Sequence, residues 1–300
     1  MARRVLLLIN RSKTEICREL DRVRVIVSSA GGQIVGERDA FPDGPVSLSE
    51  TNGADVVMIL GGDGTILSQA RRFAHLRLPL LGLNFGKLGM LAQFDLETLS
   101  THAGAIFGDC ELDLLSRWMI EVRVRRRGAS GASAGEPETI GAALNDAVIT
   151  AGAPFRMIEA VLSIDGQSGP TAMGDGVVVS TPIGSTAYNA SAGGPILAPD
   201  VDALVITPIA AQSLSFRPVV VRGGSTISLT MTRVNSTPDG SAGTSLVLDG
   251  QVAARLGAGD EVLISAHPQP VIFVRNPTEN YWATLVHKMH WAEQPRFRGE

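Results

Sequence analysis

The stretch VVMILGGDGTILSQA, residues 56 to 70, constrains the fold more than any other. Five apolar residues, Val56 to Leu60, run into two glycines, and part of the run is β-branched. A run that short, bounded by glycine, predicts a strand buried on both faces, as in a parallel sheet. From Thr65 onward, Ile66, Leu67, Ala70 and Phe73 recur at helical spacing, which predicts a helix starting there. Gly61, Gly62, Asp63 and Gly64 then lie at the carboxyl edge of the sheet, where open α/β sheets bind ligands. Glycine permits close backbone approach, and a helix start offers N–H groups to phosphate. A carboxylate beside phosphate is repulsive unless it has other work. Asp63 therefore has two readings: a cap on the following helix, or a group that acts on substrate.

Around this stretch, short apolar runs alternate with helical ones up to about residue 110. RVLLLI reads as a strand, TEICRELDRVRVIVSSAGG as a helix closing on glycines, and LPLLGLNF as a further strand. That alternation predicts an α/β domain with a parallel sheet over residues 1–110. From about Leu112 the texture becomes β-rich. WMIEVRVRRR, TIGAALNDAVIT, MIEAVLSIDG, GDGVVVSTP, STISLTMTRV, TSLVLDGQ and DEVLISAHPQPVIFVR all read as strands, which predicts a second domain over 111–275. Residues 128–138 and 237–243 read as hairpin tips, and Arg125 to Arg127 as a solvated strand end. The tail turns helical, with Tyr281, Leu285 and Met289 spaced by four. Its start is weakly marked, and residues 276–300 are expected to pack back on the first domain with their aromatics in the core.

Composition narrows the function. With 44% apolar and 19% charged residues, the chain can build a sizeable core. A net charge of −4 gives no support to general nucleic-acid binding, although a local phosphate site is compatible with it. Two cysteines, Cys17 and Cys110, are too few for a disulfide framework or a thiolate zinc site. The apolar stretch in MARRVLLLIN is too short for a signal peptide, and no segment reaches membrane-spanning length, so a cytoplasmic protein is expected.

Three further segments carry polar chemistry. LNFGKLGML, residues 83–91, is one residue short of a P-loop and has Leu88 where Ser or Thr belongs, so it is not a Walker site. ALNDAVIT places Asn145 and Asp146 within an apolar strand, where polar side chains must find partners, or else marks a strand-end turn. MGDGVVVSTPIGSTAYNASAGGPIL, residues 173–197, sets Asp175 between glycines ahead of a strand and follows it with a turn rich in Gly, Ser and Thr. Such a segment is costly to order, and a bound nucleotide would supply the missing hydrogen bonds. No Ser-His-Asp arrangement and no protein-held metal site are predicted.

Gly61-Gly62-Asp63-Gly64-Thr65, Asn84 with Gly86 and Leu88-Gly89, Asn145-Asp146, Asp175-Gly176, Thr181 to Tyr188 and Ser191 to Pro195 come in an order that resembles the NAD kinases. The likeness continues through Leu214 to Pro218 and Asp249-Gly250-Gln251. GGDGT alone is shared with lipid kinases and phosphofructokinases; the long TP-x-GSTAY-x-x-SAGGP segment is much more specific. The resemblance implies an α/β domain followed by a β-domain, a dinucleotide in the cleft between them, and a homodimer or homotetramer whose neighbouring subunits help to build the site. It implies transfer of the terminal phosphoryl group of ATP or polyphosphate, with Mg²⁺ or another divalent cation, to the adenosine ribose 2′-hydroxyl of NAD. Asp63 is the implied acceptor of the hydroxyl proton. Gly61, Gly62, Gly64, Thr65 and Asn84 form the phosphate-loop side. Asn145, Asp146, Arg156, Asp175, Thr186, Ala187, Tyr188, Asn189, Ala190, Ser191 and Gln251 are the implied dinucleotide contacts. Asp146 stands where the family often has Glu, Met173 where it has Arg or Lys, Met90 where it has Phe, and Gln212 where it has His. The alternatives are a lipid or sphingoid-base kinase, which the polar Thr186–Ser191 segment opposes, and a nucleotide-binding protein without turnover.

Overall fold

The computed structural model describes residues 2–40, 46–86, 89–128, 135–237 and 242–292. The hairpin tips expected at 128–138 and 237–243 lie largely outside the described residues, as do Lys87 and Leu88. The first elements are β1 (Arg4–Ile9), α1 (Thr14–Ser29), β2 (Gln33–Asp39), β3 (Val56–Leu60), α2 (Asp63–Phe73), β4 (Leu80–Leu83), α3 (Leu96–Phe107) and β5 (Leu114–Arg117). Next come β6 (Ile120–Arg125), β7 (Glu138–Ala143), β8 (Asp146–Thr150), β9 (Ile158–Ile164), β10 (Gln167–Gly174) and β11 (Gly176–Ser180). The short α4 (Tyr188–Ser191) precedes β12 (Ala203–Ile209), β13 (Val219–Arg222), β14 (Ile227–Arg233), β15 (Ser245–Leu248), β16 (Gln251–Arg255) and β17 (Glu261–Ala266). The chain closes with β18 (Val271–Val274) and α5 (Tyr281–Met289). It divides into two compact units: Met1–Ser116 with Val271–Glu300, and Arg117–Pro270.

The first unit is built on a sheet of order β2-β1-β3-β4-β18-β5. Strands β1, β2, β3 and β4 pair in parallel, and β18 joins β4 in parallel through Phe273 and Leu80. All five residues of β3 are fully buried, as a strand covered on both faces requires. Val56, Met58 and Leu60 share a core cluster with Ile16, Val23 and Val27 of α1 and with Leu99, Ile106 and Phe107 of α3. The intervening Val57 and Ile59 point to the opposite face, as the two-residue period of a strand dictates. Helix α2 lies against this sheet, and a Cβ on Gly82 of β4 would collide with Ile66 of α2.

Several elements differ from the sequence reading. Strand β2 and helix α3 were not foreseen. In β2, Gly36 interrupts the run and no residue is fully buried, so the apolar signal is weak. Asp95 caps α3 by accepting the Thr98 N–H at 2.8 Å. Helix α2 begins at Asp63 rather than Thr65, because a glycine in a first turn leaves no apolar mark. DEVLISAHPQPVIFVR, read as one β-rich stretch, divides into β17 of the second unit and β18 of the first. Helix α5 is marked by Asn280, whose side chain accepts the N–H groups of Trp282 and Ala283. Its aromatics are not core: Trp282 and Trp291 are about half exposed, and of the helix only Leu285 is buried.

In the second unit, two antiparallel sheets share one apolar core. One has the order β10-β9-β14-β17-β6-β7 and the other β13-β12-β11-β8-β15-β16. Ile120, Val122, Leu162 and Val262 of the first sheet meet Ile149, Val177, Val179 and Ile206 of the second. TIGAALNDAVIT is not one strand. It supplies β7 to one sheet and β8 to the other, and Leu144 and Asn145 make the crossing. The arginines read as a solvated strand end are ion-paired: Arg125 with Glu261, and Arg126 with Asp260 at 2.7 Å.

Candidate active site

In the first unit, everything converges on the Asp63 carboxylate. Asp63 does not cap α2; Gly62 is the N-cap residue and no side-chain cap bond forms. The carboxylate reaches instead to residues 90–92. Oδ1 accepts the N–H groups of Leu91 at 3.1 Å and Ala92 at 3.0 Å, and Oδ2 accepts that of Met90 at 2.9 Å. Lys288 Nζ of α5 completes the set at 2.6 Å from Oδ2. Gly89 makes this possible, because a Cβ there would fall on the carboxylate itself. Burial pushes the Asp63 pKa up, but Lys288 and the backbone N–H groups outweigh it and hold the carboxyl below the usual aspartate range. The group is ionised at neutral pH.

The glycines of the turn serve different ends. A Cβ on Gly61 would lie 2.6 Å from the Thr65 side chain, so the close fit of β3 on α2 demands glycine there. A Cβ on Gly62 would meet only Lys13 Nζ, at 3.6 Å, and one on the exposed Gly64 would meet nothing within 4 Å. Nothing in the fold explains glycine at position 64. Thr65 is buried, and its hydroxyl accepts from Asn10 Nδ2 at 3.1 Å. Asn10 in turn accepts from the Ser12 hydroxyl at 2.6 Å, tying the end of β1 to the start of α2. Asn84 folds its own turn by accepting the N–H groups of Phe85 and Gly86.

Lys288 and Asn10 were missed by the sequence reading. An asparagine closing the apolar run of β1 was a usable signal for the second. For Lys288, 225 residues from Asp63, no local signal exists.

The second unit gathers most of the implied dinucleotide contacts around the β7–β8 crossing. Asp249 Oδ1 accepts the N–H groups of Asn145 at 2.8 Å and Asp146 at 3.2 Å, and Oδ2 accepts that of Leu144 at 3.0 Å. Asp146 is 4% exposed, and burial, with the nearby Asp249 charge, raises its pKa to about 7. Asp249, bonded to three N–H groups, supplies the charge that is the second cause of this shift.

The turn at 181–197 is ordered by its own side chains, not by a ligand. Thr181 Oγ1 donates to Leu144 O at 2.6 Å and accepts from Gly184 N, while Ser185 Oγ donates to Pro182 O and accepts from Leu197 N. Asn189 is fully buried, donating to Ser185 O and Pro195 O and accepting from Thr207 Oγ1 at 2.6 Å. The expectation that a nucleotide must supply these bonds is therefore corrected. Within this frame Asn145, Thr186, Ala187 and Ala190 are partly accessible, and Tyr188, Ser191 and Gln251 are exposed. Arg156 and Asp175 are exposed too but stand apart, at the other end of β8, where Gly176 pairs with Thr150 and Ala151 N donates to Asp175 O. The Arg156 carbonyl accepts from the buried Asn235, which also holds Ala151 and Gly152. Two departures from the family pattern are neighbours, Gln212 N donating to Met173 O at 2.9 Å. Another departure, Met90, reaches Asp63 through its backbone, a contact indifferent to its side chain. Among the described residues, no three His, Cys, Asp or Glu side chains converge as a metal-ligand set.

Residues 13–109 match the model of the ATP-NAD kinase N-terminal domain, and residues 144–276 that of the ATP-NAD kinase C-terminal domain. The chain is 36% identical over 241 residues to an NAD kinase of Magnetococcus marinus, covering 80% of this chain and 75% of that protein. To the NAD kinase of Azotobacter vinelandii it is 38% identical over 241 residues, covering 80% and 77%. The fold is shared with yeast NADH kinase complexed with NADH, with a TM-score of 0.79, 21% identity, and 98% and 89% of the two chains covered. It is also shared with an NAD kinase from Archaeoglobus fulgidus in complex with ATP, with a TM-score of 0.69, 22% identity, and 94% and 98% covered.

The Asp146–Asp249 pair gives stability a pH dependence. The folded pKa of Asp146, about 7, stands above its ordinary value of 3.8, so between these the folded chain holds a proton that the unfolded chain lacks. Stability therefore falls as pH rises through that window and levels off above it. Asp146→Asn removes the loss: its Tm exceeds that of the wild type at about pH 8, and the gap narrows toward about pH 5. Melting curves that coincide at both pH values would show that Asp146 is not held protonated.

Proposed function

The chain belongs to the NAD kinase family, and on that premise we infer that it phosphorylates NAD, with Asp63 taking the proton of the attacking hydroxyl. It is a phosphotransferase that converts NAD to NADP at the expense of ATP. In the reaction, the adenosine ribose 2′-oxygen bonds to the terminal phosphorus of the donor, and the bond from that phosphorus to its bridging oxygen breaks. The hydroxyl proton passes to Asp63 and then to solvent, and ADP leaves. Inorganic polyphosphate offers the same terminal phosphoryl group and is proposed as a second donor.

The observation that carries this reading is the state of Asp63: ionised, about a third exposed, and fixed at the carboxyl end of β3 by a clamp of backbone N–H groups. Such a base is weak, but phosphoryl transfer proceeds through a loose transition state that asks more for positioning than for proton affinity. The first turn of α2, with Gly62 and Gly64 open, offers N–H groups and room for phosphate oxygens. Asn145, Asp146, Arg156, Asp175, Tyr188, Ser191 and Gln251 are assigned to the dinucleotide. Asn189, buried and bonded within the fold, supports the turn that presents its neighbours. Asp63, the one acid in the sequence Gly61 to Thr65, fits Mg²⁺ that arrives on the donor and keeps phosphate and water ligands. That ion would offset charge on the phosphates. Among the described residues, no helix is long and apolar enough to cross a membrane. A cytoplasmic homo-oligomer remains part of the proposal.

The direct test is incubation of the purified protein with NAD, Mg²⁺ and either ATP or polyphosphate, scoring NADP; no NADP from either donor contradicts the reading. Asp63→Asn is expected to bind NAD nearly as the wild type does while turnover drops by about 10²–10⁴-fold. Near-normal turnover would remove Asp63 from the chemistry. Gly64→Ala separates ligand from fold. The added methyl favours the helix by up to about 1 kcal/mol, so the variant melts no lower than the wild type, while KM for the phosphoryl donor rises. An unchanged KM would place no phosphate at this turn.

A further inference from the structure

A carboxylate has about four lone-pair positions for hydrogen bonds. On Asp63 all four are taken: Oδ1 by Leu91 and Ala92, and Oδ2 by Met90 and Lys288. Three of these donors are backbone N–H groups of a turn that is closed on itself and anchored to β4 just beyond it. Gly89 N donates to Ala92 O, and Phe94 N donates to Gly82 O of β4. The fourth is a flexible side chain, itself about a third exposed. A substrate hydroxyl can bond to Asp63 only by replacing one donor, and the ammonium is the one free to leave.

Its destination is visible. Lys288 also lines a cavity of about 480 Å³ with Thr98, Asn280, Thr284 and His287, so its side chain has space to swing away without leaving α5. Release breaks one charge pair whose partners are both partly solvated, which costs little compared with disrupting the backbone clamp.

We propose that Lys288 is a positioning residue that holds the place of the acceptor hydroxyl on Asp63 and yields it when the dinucleotide binds. The inference rests on the assignment of Asp63 as the group that meets the ribose 2′-hydroxyl. In the unliganded protein the ammonium keeps the carboxylate aligned and neutralised; in the complex the hydroxyl takes the same oxygen from the same side. Displacing Lys288 then draws on dinucleotide affinity, and only for a ligand that carries the hydroxyl.

Direct binding without a phosphoryl donor tests this, comparing NAD with its adenosine 2′-deoxyribose analogue on the wild type and on Lys288→Met. Removing the ammonium is expected to tighten NAD on the order of threefold, a surface-pair magnitude, and to leave the analogue unchanged. Lys288→Arg, which retains a cationic donor, should bind NAD as the wild type does. Should the Met variant fail to fold, Lys288→Gln carries the same comparison. A gain for NAD at least threefold larger than for the analogue supports the exchange. Equal shifts for both ligands, or none, overturn it, because a merely structural lysine would affect them alike. Failure here is distinct from failure of the assigned activity, since wild-type formation of NADP is scored separately.

Discussion

The first unit depends on one ion and what surrounds it. Asp63 is desolvated enough that burial works against its charge, and it stays ionised because three backbone N–H groups and Lys288 converge on it. Each contact also has a structural effect. The N–H groups fix the path of residues 89–92, and the lysine joins α5 to the start of α2. A neutral isostere could not hold this arrangement equally well, since hydrogen bonds to a charged acceptor are about twice as strong as neutral ones. A group held so rigidly has surrendered basicity for placement. That suits a reaction in which the donor phosphorus, rather than the proton, sets the demand.

The second unit solves a different problem, that of carrying a polar surface on a β-rich core. Asp249 organises the crossing between its two sheets by accepting three consecutive N–H groups, leaving Asp146 to take a proton. The Ser- and Thr-rich turn closes on itself through Thr181, Ser185 and Asn189, so Tyr188 and Ser191 stand exposed on a frame that the chain's own hydrogen bonds hold together. Preassembly of this kind lowers the ordering cost of binding.

What could be read from sequence followed the range of each interaction. Strand β3, the glycine turn and α2 are contiguous, and their burial pattern and spacing state the fold locally. The antiparallel strands of the second unit were legible from β-branched runs for the same reason. Sheet membership was not: nothing in TIGAALNDAVIT says that its halves serve different sheets, and nothing around Val271 says that β18 returns to the first. Asp63 stood out because a carboxylate among glycines is chemically odd. Its partners did not, because three backbone N–H groups and a distant lysine leave no pattern in composition. The exposed Trp282 shows the same limit in reverse, since residue type alone misplaced it.

The measurement that bears most directly on this account is the distance between Asp63 and the adenosine ribose 2′-hydroxyl in a structure of the protein with NAD bound. The account predicts a separation of about 2.6–3.2 Å, with the N–H groups of Met90, Leu91 and Ala92 still on the carboxylate. A hydroxyl lying beyond reach of Asp63, with Lys288 still closing the carboxylate, would contradict it.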